Sequence, residues 1–77
     1  MAITSVKDIA VLVKQERLKL GMTQVQAAAL CNVGTRFLSE LENAKPTLQI
    51  DKVIKVTHMF GITLTATINS EQTKLGV

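Results

Sequence analysis

The residues that could carry chemistry lie close together, between Gln24 and Lys45 of a 77-residue chain. Arg36 offers a guanidinium fork that matches O6 and N7 of guanine, a contact worth about 1–3 kcal/mol of discrimination between bases. The same group serves against a phosphate, or in an i, i+4 pair with Glu40. Thr35 brings a hydroxyl for a base or phosphate and a methyl for a thymine methyl. Ser39, one turn on, reaches a base or a phosphate. Phe37 either touches thymine methyls or packs against the domain. Glu40 repels phosphate; its roles are to accept from cytosine N4 or to orient Arg36. Asn43 and Lys45 offer donors to the phosphate backbone, contacts that position a protein without specifying sequence. Enzyme chemistry finds no comparable cluster. His58 has no second His, Cys or paired carboxylate at useful spacing. Cys31 reads as a small core residue. There is no Gly-rich phosphate loop. No catalytic residue, metal or cofactor is expected.

Such side chains need a helix held out from a scaffold, and Thr23 to Asn43 reads as two short helices joined by a tight turn. Thr23 is a plausible N-cap, and Gln26 three residues on completes a capping box. Ala27, Ala28 and Leu30 carry the first helix to Cys31. Asn32 sits where the chain must turn, and Asn tolerates the left-handed conformation. Val33 plugs the core beneath the turn. Gly34 is an acceptable cap for the second helix. There Leu38 and Leu41 share one inward face, which puts Thr35, Arg36, Ser39 and Glu40 outside. This is the layout of a helix-turn-helix, with Thr35 to Asn43 as the recognition helix.

The pair Thr23-Gln24, the small Ala28, the turn at Asn32-Val33, the apolar Leu38 and Leu41, and Glu42 together resemble the lambda-repressor/Cro-like (XRE) family. The match runs roughly from Ile9 to Ile68, and its specificity comes from the register, since each motif alone is weak. Val33 to Thr47 is similar to a narrower group, the HipB-like antitoxin repressors. The resemblance implies a sequence-specific repressor acting on a palindromic operator in double-stranded DNA. It further implies the antitoxin of a HipBA-like toxin–antitoxin system, repressing its own operon and binding a HipA-like kinase toxin. A stand-alone XRE regulator, or an interaction module that kept only the fold, are the alternatives. The resemblance also implies that Gln24 bridges a phosphate and the recognition helix, and that Arg17 pairs with Glu42. An ordinary exposed arginine is the other reading of Arg17, and a solvent-facing amide is the other reading of Gln24. Two residues depart from the common pattern. Asn32 replaces a frequent Gly and keeps the turn. Gly34 replaces a frequent Ser or Thr and removes a capping hydroxyl that also reaches phosphate.

The rest of the chain bounds the assembly. At this length one domain is expected, with a small core that is marginal alone. Only two aromatics, Phe37 and Phe60, are present, so a second subunit is expected to add stability. The net charge of +3 favours a polyanionic partner. A single cysteine excludes an intrachain disulfide and fits a reducing cytoplasm. No apolar run approaches the roughly 20 residues of a membrane span, and no cleavable leader is read, so the expected location is cytoplasmic.

Met1 to Thr4 is expected to be loose. Ser5 is a possible cap for a first helix with Asp8 in its first turn. Ile9, Leu12, Val13 and Leu20 form its apolar stripe, with Lys14, Glu16 and Lys19 on the wet face and Gly21 ending it. After Pro46, Thr47 is expected to cap a helix from Leu48 to Phe60. That helix is more apolar than one face requires, so part of it should meet a second subunit. Gly61 ends it. Ile62 to Ile68 alternates with a period of two, a strand signal. Its partner is expected to be the same strand of a second copy, antiparallel about Thr65, with Ile62, Leu64, Thr65, Ala66 and Ile68 at the dimer interface. The expected organisation is a helix-turn-helix domain at 5–61, a dimerisation strand at 62–69 and a flexible tail at 70–77. The fold class is all-α: a lambda-repressor-like domain of four to five helices with one C-terminal β-strand pairing across a dimer.

Overall fold

A computed structural model of the chain describes residues 2–68. Four helices follow in order: α1 Val6–Lys19, α2 Gln24–Cys31, α3 Thr35–Glu42 and α4 Ile50–Met59. Among the described residues there is no strand.

Helix α1 begins after Ser5, whose backbone is extended but whose side chain makes no capping bond. The tie is made from the other direction. The Asp8 carboxylate accepts from the Thr4 backbone N–H at 2.8 Å and from the Thr4 hydroxyl at 3.1 Å. Thr4 is therefore anchored rather than loose. These bonds, the backbone one first, hold the Asp8 carboxyl below its usual range. Inward, α1 buries Ala10, Val13 and Arg17. The expected stripe stops there, because Leu20 is 62% exposed. Lys19 is the last helical residue, and the chain swings away at Gly21 with φ +67°.

Helix α2 carries the capping box expected of Thr23 and Gln26. The Gln26 N–H donates to the Thr23 hydroxyl at 3.1 Å, and the Thr23 N–H donates to the Gln26 amide oxygen at 2.9 Å. Asn32 closes the helix in the left-handed region, at φ 55° and ψ 48°. Val33, half-buried, packs beneath that turn against the core. Helix α3 then buries Leu38 and Leu41 completely. They join Val13, Ala27, Ala28, Cys31, Val53, Val56 and Phe60 in one core. Ala27 and Ala28 are the small residues where α2 crosses its neighbours. Burial pushes the Cys31 thiol up from its ordinary value, so it stays protonated and inert.

Helix α4 starts two residues later than the sequence predicts, with Gln49 rather than Thr47 at its cap. Residues 46–49 instead carry Leu48 onto the core before the helix can begin. Ile50, Ile54 and Met59 remain 64%, 50% and 43% exposed. Gly61, at φ +72°, ends the helix. Ile62 folds back onto the core, while 63–68 are exposed. A β-strand is defined by its hydrogen-bond ladder, and among the described residues none pairs with 62–68. The strand expected there does not form within one copy. The expected tail at 70–77 lies outside the described residues.

Candidate nucleic-acid interface

The platform beneath the recognition helix is an arginine clamp. Arg17, on α1, grips Glu42 at the end of α3 through two parallel bonds, Nε to Oε2 at 2.7 Å and Nη2 to Oε1 at 2.9 Å. Its remaining Nη1 donates to the Met22 carbonyl at 2.8 Å, at the entry to α2. The Gln24 amide donates to Glu42 Oε1 at 3.2 Å. The Glu42 carboxylate thus ties α1, α2 and α3 together, and Arg17 adds the α1–α2 turn. The two charged side chains are only 10% and 3% exposed. The Glu42 hydrogen bond raises the Arg17 pKa above its ordinary value. The expected pair of Arg17 with Glu42 is present. Gln24 makes the half of its expected bridge that faces the recognition helix.

That clamp fixes which face of α3 looks outward. Thr35 and Arg36 are exposed, and Ser39 and Glu40 are half-buried. The Arg36 side chain is 90% exposed, its Nε 3.7 Å from Glu40 Oε2. The same Glu40 oxygen accepts from Lys45 Nζ at 2.9 Å. Lys45 first, and Arg36 after it, hold the Glu40 carboxyl below its usual range. Both expected cations therefore converge on the single acid of the outer face. The Asn43 amide donates to the Ser39 carbonyl at 2.9 Å, closing the last turn of α3. Phe37 packs against the core, with the Lys52 ammonium 5.9 Å from its ring centre. Its ring is half-buried, so the packing is present and part of its edge stays on the surface. Gly34 caps α3 without a side-chain bond, and a Cβ there would meet no atom within 4 Å.

Three features had no sequence signal. Ala44 adopts φ +60°, the left-handed region, one residue after α3's C-cap. Glycine or asparagine would have marked that turn; alanine does not. Lys55 on α4 donates to the Asn32 carbonyl at 3.2 Å, bracing the turn between α2 and α3. Lys52 over Phe37 braces the other side of α3. Both contacts join residues far apart in the chain, beyond the reach of local patterning.

A short helix held by a buried clamp, with its polar outer face free, defines a helix-turn-helix DNA-binding module. The chain belongs to the helix-turn-helix family HTH_3, whose profile matches residues 13–66. It is 36% identical over 67 residues to the "Uncharacterized HTH-type transcriptional regulator y4mF" of Sinorhizobium fredii (strain NBRC 101917 / NGR234), covering 87% of this chain and 88% of that one. In fold it is similar to the solved "HipB-O1-O2 complex", with a TM-score of 0.76, 20% identity, and 88% and 99% of the two chains covered. It is equally similar to the "HipA-HipB-O2-O3 complex", at 0.76 and 20%, with 88% and 96% covered. The chain is an XRE-type helix-turn-helix protein of the transcription-regulator class, with a fold similar to that of HipB. No helix among the described residues is long and apolar enough to cross a membrane.

Proposed function

We propose that the chain is a dimeric, sequence-specific repressor and the antitoxin of a HipBA-like operon, which it represses while binding a kinase toxin. The observation that carries the DNA reading is the outer face of α3. Arg36 stands 90% exposed at the start of a helix that the clamp holds rigidly outward. In this reading Arg36 and Thr35 meet base edges, and Ser39 reaches a base or phosphate. Gln24, Asn43, Lys45 and the backbone at Gly34 line the phosphate track. Glu40 directs Arg36, and Phe37 supports the helix from below.

Dimerisation is supported by the apolar surface that one copy leaves uncovered. Ile50, Ile54, Met59, Leu64 and Ile68 are all exposed. Pairing 62–68 with the same segment of a second copy would satisfy its backbone and cover that surface. A two-fold pair would set two recognition helices about 34–36 Å apart, the spacing of successive major grooves. The toxin link follows the HipB-like fold and the Val33 to Thr47 resemblance. The second reading is a stand-alone XRE regulator without a toxin partner; the S. fredii relative, an HTH-type transcriptional regulator by name, agrees with either.

The test is a mobility shift with the DNA upstream of the chain's own gene. Binding should weaken steeply as salt is added; binding that is absent, or indifferent to salt, removes the DNA reading. Co-purification with a kinase encoded beside it separates antitoxin from stand-alone regulator.

A further inference from the structure

We propose a second phosphate-binding site on α1, formed by Lys7 and Lys14 beside the turn that follows the recognition helix. It deepens the DNA reading and rests on it. Among the described residues, Arg17, Lys19, Arg36 and Lys45 each face an acid. Lys55 is bonded to the Asn32 carbonyl and Lys52 lies over Phe37. Among the described residues Lys7 and Lys14 form no salt bridge and no side-chain hydrogen bond, and both are exposed; Lys7 adds only a minor Coulombic pull on the Asp8 carboxyl, which Thr4 already binds.

They also share one place. Lys7, Ala10 and Lys14 form one wall of a groove whose other wall is Glu42, Asn43 and Ala44. Seven residues along a helix return to nearly the same face, about 10.5 Å further on. That distance matches the axial rise of about three nucleotides of one DNA strand, at 3.4 Å each. Ala10 between the lysines is small and buried, and Val11 beside it, 44% exposed, is the one larger side chain between them on that wall, apolar and without charge to repel a phosphate. The one acid in its wall is not available to repel a phosphate, because Arg17 and Gln24 bind both of its oxygens. Asn43 and Ala44 make the groove continuous with the end of α3, so a strand passing the recognition helix has an onward path along α1. Lys7 stands in the first turn of α1, where the helix dipole disfavours a cation. Asp8 beside it offsets part of that cost, and the Lys7 ammonium stays exposed and able to meet an anion outside the fold. The ligand is the sugar–phosphate backbone flanking the bases that α3 reads.

The experiment titrates the full chain and its K7Q/K14Q variant with a random-sequence duplex of about 40 base pairs, about four helical turns, over a range of salt. Glutamine keeps helix propensity close to that of lysine. If each lysine neutralises one phosphate, the slope of log K against log salt should fall by about 1.8 per bound chain. Between 50 and 200 mM salt the wild type should then lose about 12-fold more affinity than the variant. The melting temperature of the variant should stay close to that of the wild type, since both lysines are exposed. In the wild type, DNA should protect Lys7 and Lys14 from amine acetylation. An unchanged slope, or lysines as reactive with DNA as without it, overturns this site while leaving α3 as the reader. A wild-type chain with no salt-dependent binding removes the DNA reading and this site together.

Discussion

At the scale of single residues, Arg36 and Lys45 should separate reading from holding. Arg36→Ala is expected to lower affinity for the operator by about 1–3 kcal/mol and to spare random DNA. Lys45→Ala should weaken both alike, and less than a free lysine would, because Glu40 already engages its ammonium. Equal losses on operator and random DNA for Arg36→Ala would make it a phosphate contact. Ala44 supports a prediction of the opposite sign. A non-glycine residue in the left-handed region costs about 1–2 kcal/mol, and Ala44 sits there at φ +60°. Ala44→Gly should therefore raise stability, by up to about 1 kcal/mol after the added freedom of the unfolded chain is counted. A lower denaturation midpoint would show that the turn is not strained.

At the scale of elements, the clamp decides whether α3 exists at all. Glu42→Gln leaves the Arg17 charge buried without its counter-charge, a change that costs about 3–5 kcal/mol for buried pairs. At roughly 4–8 °C per kcal/mol for a domain of this size, melting followed by circular dichroism should drop by at least about 12 °C. An unchanged curve would mean that water screens the pair. Legibility in the sequence divides along the same line. The capping box, the Asn32 turn and the inward Leu38 and Leu41 were readable because each is written within a few residues. The Arg17–Glu42 pair came from family resemblance, since no local pattern joins residues 25 apart. The start of α4 was misplaced because Thr47 is a good cap by type, while the packing of Leu48 delays the helix. The segment 62–68 shows the limit of periodicity: alternation marks a face, and only a partner makes a ladder. Truncation after Gly61 should give a monomeric, less stable chain that binds operator poorly. Sedimentation showing undiminished dimerisation would place the interface elsewhere, with the exposed Ile50 and Ile54 as its first candidates.

At the scale of the whole molecule, the acid side of the stability curve should follow the two carboxyls that the fold holds low, Asp8 and Glu40. A carboxyl with a depressed folded pKa favours the native state above its unfolded value. For Asp8 and Glu40 those ordinary values are 3.8 and 4.5. Their contribution is lost as pH falls through the lower folded values. Glu40→Gln should remove that contribution, lowering the neutral plateau slightly and flattening the curve below about pH 5; a curve as steep as the wild type's would show that Lys45 does not hold the carboxylate in solution.

The clamp under α3 also bears on the heat signature of complex formation. An eight-residue helix is marginal in water by itself. Here its last turn is fastened by a carboxylate shared with α1 and α2. Amide protons of α3 should therefore exchange with deuterium only when the whole domain opens, with no earlier fraying from its C-terminal end. A reader that is already ordered pays no folding entropy on meeting DNA. Calorimetry of one chain's recognition surface on DNA should then show a heat-capacity change well short of that for coupled folding, which corresponds to burying about 1,000–3,000 Å².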